Sequence, residues 1–97
     1  MTVLKRMNGG EANLLVEGRL DTVTAPDLEK ELLLLSEASS LEMDFSKLEY
    51  ISSAGLRVLL SAHKVFAKKN GMTITNVGEM VMDVFEVTGF KDILSIR

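Results

Sequence analysis

DFSKLEYISSAGLRVLL, residues 44–60, joins a strand-like segment to a helix-like one through a pair of serines. Before the serines, apolar residues alternate with polar ones as in a β-strand, at Leu41, Met43 and Phe45. After them, apolar residues recur at helical spacing, at Leu56, Leu59, Leu60 and Phe66. The pattern therefore predicts a strand, a serine turn and a helix.

The two serines, Ser52 and Ser53, stand where the helix is predicted to begin. A serine at this position usually accepts a hydrogen bond from an N–H group of the first helical turn, so either residue is a candidate helix cap. The first N–H groups and the positive end of the helix dipole also favour a phosphate there. Two interpretations stay open at this point: a purely structural cap and a site that carries an anion.

The stretch DFSKLEYISSAGL resembles the central signature of the STAS domain, which is found in anti-sigma factor antagonists and in the cytoplasmic tails of sulphate transporters. That signature reads D-hydrophobic-S-x(3)-hydrophobic-hydrophobic-D-S-[ST]-G-L. The matching residues are Asp44, Ser46, Ser53, Gly55 and Leu56. A similar G-x-L-D motif occurs at residues 18–21, and the resemblance extends over residues 11–96.

The resemblance implies a phosphorylation site at Ser53, because a partner kinase phosphorylates the serine two places before the glycine in the antagonists. Ser52 is the second choice; it stands where the family has aspartate, and Ala54 stands where it has serine or threonine. Gly55 is expected to leave room for an approaching partner. The predicted partner-binding residues are Asp21, Ser52, Ser53, Ala54, Gly55 and Arg57.

By the same resemblance, the protein is predicted to switch partners. The implied partners are a GHKL-type serine kinase that acts as the anti-sigma factor, and a serine phosphatase that resets the switch. Two alternatives remain: a STAS subunit of a transporter or lipid-transport complex, and a nucleotide- or anion-binding STAS module. No cofactor is predicted in any of these cases.

Composition excludes several other classes of protein. The 97 residues suit a single domain, residues 1–97, with 46% hydrophobic and 26% charged residues and a formal charge of −3. This charge gives no general attraction to nucleic acid or anionic lipid. There is no cysteine, no secretion signal and no run of about 20 apolar residues. We therefore predict a cytoplasmic protein that neither binds nucleic acid nor inserts into a membrane.

An enzymatic function is not predicted, because the chain lacks convergent catalytic groups. The only histidine, His63, lies ten residues after Ser53 on the same predicted helix. At 1.5 Å per residue the two side chains are about 15 Å apart along the axis, which is too far for a serine–histidine dyad. A phosphocarrier role for His63 is less favoured than packing beside Phe66. One histidine among scattered carboxylates also predicts no metal site.

The remaining patterns predict an α/β domain, with a mixed sheet of four or five strands and three to four helices. Predicted strands cover residues 2–7, 12–20, 41–45 and 72–75, with a last strand or edge segment in 90–96. Predicted helices begin at Thr24, near Ala54 and at Gly78. Asn8-Gly9-Gly10 predicts a hairpin between the first two strands.

Four more specific expectations concern capping, burial and surface charge. Thr24 is expected to cap the first helix in a capping box with Asp27. Leu33 and Leu34 widen that helix's apolar stripe and are expected in the core rather than on a partner surface. The strand at 41–45 is expected to be the central strand and to be buried on both faces. The second helix is expected to carry a polar, cationic stripe at Arg57, Ser61, Lys64 and Lys68, either as solvated surface or as a docking surface for an acidic partner.

Overall fold

Five strands and three α-helices alternate along the computed structural model, which describes residues 1–97. The strands are β1 (Thr2–Asn8), β2 (Glu11–Leu20), β3 (Ser40–Ile51), β4 (Met72–Thr75) and β5 (Ser95–Ile96). The helices are α1 (Ala25–Leu33), α2 (Ser53–Ala67) and α3 (Glu79–Thr88), and Phe90–Asp92 forms one 3₁₀ turn. The predicted fold class, an α/β domain with a mixed sheet, is confirmed.

The sheet has the order β1-β2-β3-β4-β5, with β1 antiparallel to β2 and all the other pairs parallel. From β2 onwards each crossover moves one strand in the same direction. Since such crossovers are right-handed, all three helices lie on the same face of the sheet. β3 is the central strand, as predicted.

The other face of the sheet carries no helix, which corrects the expectation that β3 is buried on both faces. Along β3, buried residues such as Met43 alternate with half-buried polar ones such as Glu42 and Asp44. A shallow depression of about 760 Å³ lies on this open face. The hydrophobic core is therefore a single layer between one sheet face and the helices. Its largest fully buried side chains include Phe45, Phe85, Leu14, Leu20, Leu28 and Leu41.

β3 is longer than predicted. Two irregularities in its pairing with β2 interrupt the alternation of buried and exposed residues in its second half, so the sequence pattern does not look like a strand there. It has 12 residues against 10 in its partner β2, and the pairing shifts between Leu15 and Glu17 and again between Gly18 and Arg19. At each shift β3 gains one residue, as in a β-bulge. The buried positions Phe45, Leu48 and Ile51 are consequently three residues apart. Residues 46–51, which the prediction left outside the strand, are therefore part of one bulged strand.

The start of α1 also differs from the prediction. Thr24 makes no side-chain bond to the helix backbone. Instead, Asp21 and Thr24 form a reciprocal box: the Thr24 N–H donates to Asp21 Oδ1 at 3.1 Å, and the Asp21 N–H donates to Thr24 Oγ1 at 2.9 Å. Asp21, rather than the pair Thr24 and Asp27, thus stabilises the entry into α1.

Leu33 and Leu34 lie on the surface, so the prediction that they belong to the core is wrong. Their exposed fractions are 72% and 65%, whereas Leu28 and Leu35 are buried. The reason is the helical period: at about 100° per residue, Leu33 and Leu34 point away from the side of α1 that carries Ala25 and Leu28, which are buried.

Candidate functional site: the serine turn

The serine turn lies at the carboxyl end of β3, where the sheet and α2 meet. Leu20 and Ile51 are the last paired residues of β2 and β3, and the Ser52 N–H donates to the Leu20 carbonyl at 2.9 Å. Because β2 and β3 are parallel, the residues that follow them, Asp21 and Ser52, emerge at the same edge of the sheet. Asp21, one of the predicted partner-binding residues, therefore follows β2 beside the serine turn. Ligands and partners commonly meet an open α/β sheet at this edge.

The two serine hydroxyls have different environments. Ser52 is the N-cap residue of α2 in extended geometry, but its hydroxyl makes no capping bond. That oxygen is buried and has no hydrogen-bond partner. Ser53 is the first residue of α2 and is exposed, as expected. Ser53 is therefore open to solvent, whereas the Ser52 hydroxyl becomes accessible only if its side chain turns outward.

Gly55 is buried, which corrects the expectation that it leaves open space for a partner. A Cβ at this position would lie 2.7 Å from Leu20 Cγ, 2.9 Å from Ile51 Cγ1 and 3.0 Å from the Leu20 carbonyl oxygen. The glycine lets the first turn of α2 pack directly against the ends of β2 and β3. Ala54, the neighbouring residue, is half-buried and packs against the core.

Asp21 is held by its own turn. The pKa of Asp21 lies below its ordinary value, and the hydrogen bond from the Thr24 N–H contributes most to this lowering. Partial burial raises the pKa, but hydrogen bonds from the Val23 N–H, at 3.0 Å, and from the Thr24 hydroxyl lower it further. The Arg19 Nε atom, 3.7 Å from Asp21 Oδ2, adds a further lowering effect. Asp21 is therefore an ionised residue that shapes the loop beside the serines.

Three neighbours of the serine turn were not predicted as site residues. The Arg19 guanidinium lies 4.2 Å from the centre of the Tyr50 ring, and the two residues are paired in the β2–β3 register. Val23, in the loop after Asp21, has an exposed fraction of 82%. Arg19 and Tyr50 are 31 positions apart, and only the bulged register brings them together. Of the three, only Val23 could have been found from a local sequence pattern, since it stands between two threonines in a turn.

The signature residues Asp44 and Ser46 have a structural role in this chain. Asp44 pairs with Thr75 in the last step of the β3–β4 ladder, and its Oδ1 accepts a bond from the Ser46 N–H at 2.8 Å. Partial burial would raise the pKa of Asp44, but bonds from the Ser46 N–H, the Ser46 side chain and the Asn76 side chain outweigh it and lower the pKa. These residues therefore stabilise β3 where it leaves β4 and bulges against β2.

These two carboxylates predict how stability depends on pH. Asp21 and Asp44 both have a folded pKa below the ordinary value of 3.8. Their stabilisation is therefore complete above that value and is lost as the pH falls through the folded pKa. We expect the contribution of these groups to the free energy of unfolding, measured with urea, to be nearly constant between pH 7 and 5. It should decline from about pH 4 downward.

The matched variants for this prediction are Asp21→Asn and Asp44→Asn, because an amide oxygen still accepts the turn's N–H bonds but does not titrate. Each variant should flatten the decline below pH 4, whereas Asp83→Asn, on the exposed surface of α3, should not. An unchanged acid slope in both variants would contradict the assignment.

The cationic stripe on α2 is exposed along its length. Its members are Arg57, Ser61, Lys64 and Lys68. None of the three salt bridges in the structure involves them. The stripe begins one turn after Ser53 and is free to meet acidic groups from outside.

His63 does not approach the serine hydroxyls. Both Ser53 and His63 lie within the continuous helix α2, so the separation of about 15 Å along the axis applies. The His63 Nδ1 atom is buried without a hydrogen-bond partner. The site therefore offers an exposed hydroxyl and a charged surface, and His63 is too far away to activate the hydroxyl.

Comparison with known proteins decides the family. The protein-family model described as "Mlab, STAS domain" matches residues 3–95. The chain belongs to the STAS domain family. This confirms the resemblance found in the sequence, and the match reaches beyond the serine stretch to nearly the whole domain.

Among relatives of this STAS domain, the anti-sigma-B factor antagonist of Bacillus subtilis is 29% identical over 93 residues, covering 94% of this chain and 85% of the relative. The crystal structure of an anti-sigma factor antagonist from Mycobacterium paratuberculosis has a TM-score of 0.87 at 27% identity, covering 98% of this chain and 83% of that one. The Bacillus cell fate determinant SpoIIAA in the phosphorylated form has a TM-score of 0.76 at 14% identity, covering 99% of this chain and 91% of that one. At 14% identity, the last comparison shows the shared fold alone.

No helix of this STAS domain has the length and apolar character that crossing a membrane requires.

Proposed function

We propose that this STAS domain is an anti-sigma factor antagonist that changes partners according to the phosphorylation state of Ser53. The observation that carries the proposal is the exposed Ser53 at the start of α2, beside a buried Ser52 hydroxyl. The similarity to the Bacillus subtilis antagonist over 94% of the chain supports the same function. In its unphosphorylated form the domain binds the anti-sigma factor and so releases the sigma factor.

The partners follow from this proposal. The anti-sigma factor is a GHKL-type serine kinase, which phosphorylates Ser53 and then dissociates, and a serine phosphatase resets the switch. The domain works in the cytoplasm as a binding module and substrate rather than as an enzyme. The partner surface comprises the loop at Asp21, the serine turn and Arg57, while Gly55 supports it from beneath.

The test is phosphate transfer by the GHKL-type kinase encoded nearest to this gene. With radiolabelled ATP, we expect wild type to incorporate about one phosphate per chain, Ser53→Ala to incorporate none, and Ser52→Ala to behave as wild type. Mass spectrometry of the modified peptide identifies the acceptor. Loss of labelling in Ser52→Ala but not in Ser53→Ala would move the acceptor by one residue.

The alternatives give different outcomes in the same experiment. If neither serine accepts phosphate and the domain co-purifies with transporter or lipid-transport subunits, the transporter-subunit function replaces the switch. Saturable binding of a nucleotide, lost in Ser53→Ala, would favour an anion-binding module.

A further inference from the structure

Arg57 lies one helical turn after Ser53 on the exposed side of α2. Residues i and i+4 of a helix are neighbours, with about 5–6 Å between their Cβ atoms, and an anion placed N-terminal to a cation is the more favourable order. Arg57 is the only cation in the first two turns of α2, and it makes no salt bridge in the unphosphorylated protein. Its guanidinium is therefore available to a group attached to Ser53.

The first turn of α2 lacks the groups that usually neutralise a helix start. It has no acidic residue, and the N-cap Ser52 makes no side-chain bond to the turn. Arg19, on the neighbouring strand, is already placed over Tyr50 and beside Asp21. A phosphate on Ser53 would thus meet unneutralised N–H groups and one free guanidinium.

We propose that Arg57 binds phosphoserine 53 within the same chain, so that phosphorylation both adds a dianion and withdraws Arg57 from the partner. The proposal rests on the proposed function, in which Ser53 accepts the phosphate. In that step Ser53 Oγ bonds to the γ-phosphorus of ATP, the bond to the β,γ-bridging oxygen breaks, ADP leaves, and the hydroxyl proton passes to a base of the kinase.

Arg57 suits a phosphate better than the lysines further along the stripe. A guanidinium can donate two parallel N–H bonds to phosphate oxygens, whereas an ammonium acts as a point charge. Lys64 lies seven residues beyond Arg57, about 10 Å further from the phosphate along the axis. Arg57 in the unphosphorylated state is then free for an acidic group of the partner.

The experiment uses phosphoserine encoded at position 53 of the full chain, so that no kinase is needed. The second pKa of the phosphate, ordinarily about 6, is measured by ³¹P NMR titration. We expect Arg57→Gln to raise this pKa by about half a unit relative to the phosphorylated parent, because removal of the guanidinium disfavours the dianion. Arg57→Lys should restore part of the lowering.

Lys64→Gln is the matched control, since it removes one positive charge from the same face of α2, and it should shift the phosphate pKa by less than about 0.1 unit. Equal shifts in Arg57→Gln and Lys64→Gln, or no shift in either, would overturn the proposal. This result is independent of the kinase experiment: a chain that no kinase phosphorylates can still show the Arg57 contact, and a phosphorylated chain can lack it.

Discussion

Phosphoserine at position 53 is expected to weaken binding of the anti-sigma factor by a hundredfold or more, while the domain stays folded. The fold survives because the phosphate adjoins the positive end of α2, whose first N–H groups have no intrahelical acceptors. Binding suffers because an interface centred on Ser53 must desolvate a dianion. Even with Arg57 bound to the phosphate, close to one negative charge stays unpaired. A buried unpaired charge costs about 3–5 kcal/mol, and each 1.4 kcal/mol is a factor of ten in affinity.

The measurement compares Ser53, phosphoserine 53, Ser53→Ala and Ser53→Asp for melting temperature and for affinity to the kinase by isothermal titration calorimetry. Ser53→Asp should lose at least tenfold in affinity, since it carries one negative charge rather than nearly two. Ser53→Ala should bind as tightly as wild type, and all four should melt within a few degrees of one another. Weakened binding accompanied by a large fall in melting temperature would mean that the phosphate acts by unfolding the domain.

The second large effect is expected at Gly55, where any side chain must displace the ends of β2 and β3. In most helices Gly→Ala is stabilising by up to about 1 kcal/mol. Here the added Cβ would meet the Leu20 side chain at 2.7 Å and the Leu20 carbonyl oxygen at 3.0 Å. That oxygen also accepts the Ser52 N–H bond, so it cannot withdraw without loosening the serine turn. We expect Gly55→Ala to lower the free energy of unfolding by about 1–3 kcal/mol, and Gly55→Val by more.

The control is Gly78→Ser, which adds a Cβ where no heavy atom lies within 4 Å and keeps a good N-cap residue for α3. Urea unfolding should show a change of no more than about 0.5 kcal/mol for this variant. Partner binding by Gly55→Ala should fall only in proportion to the fraction of unfolded protein. If Gly55→Ala is as stable as wild type but does not bind the partner, the structural role is contradicted and the glycine faces the partner, as the sequence had predicted.

Much of the candidate site was predictable because its signals are local. Serine at a helix start, apolar spacing of 3.6 residues after it and alternation before it all depend on neighbouring residues of the chain. The order of elements, the position of Ser53 at the start of α2 and the central place of β3 were obtained in this way. The end of α3 at Gly89, in left-handed geometry, follows from the same kind of signal.

Two of the errors concern contacts between distant parts of the chain. The second half of β3 was missed because its bulges break the alternation, and they are defined only by pairing with β2, about 30 residues earlier. Burial of both faces of β3 was expected from its parallel neighbours, but the handedness of three successive crossovers leaves one face open. The error at Leu33 and Leu34 is a local one: both were placed in the core from their apolar character, although the helical period turns them away from Leu28.

By itself, then, the sequence determined the family and the strand–serine turn–helix unit with its two candidate serines, since each depends on residue types at short spacing. Only the tertiary structure decided which serine hydroxyl faces outward, what Gly55 contacts and which cation is free near Ser53. The first two features depend on how closely α2 approaches Leu20 and Ile51, and the third depends on the placement of Arg19 over Tyr50. Both are set by the register of β2 against β3 rather than by any local pattern.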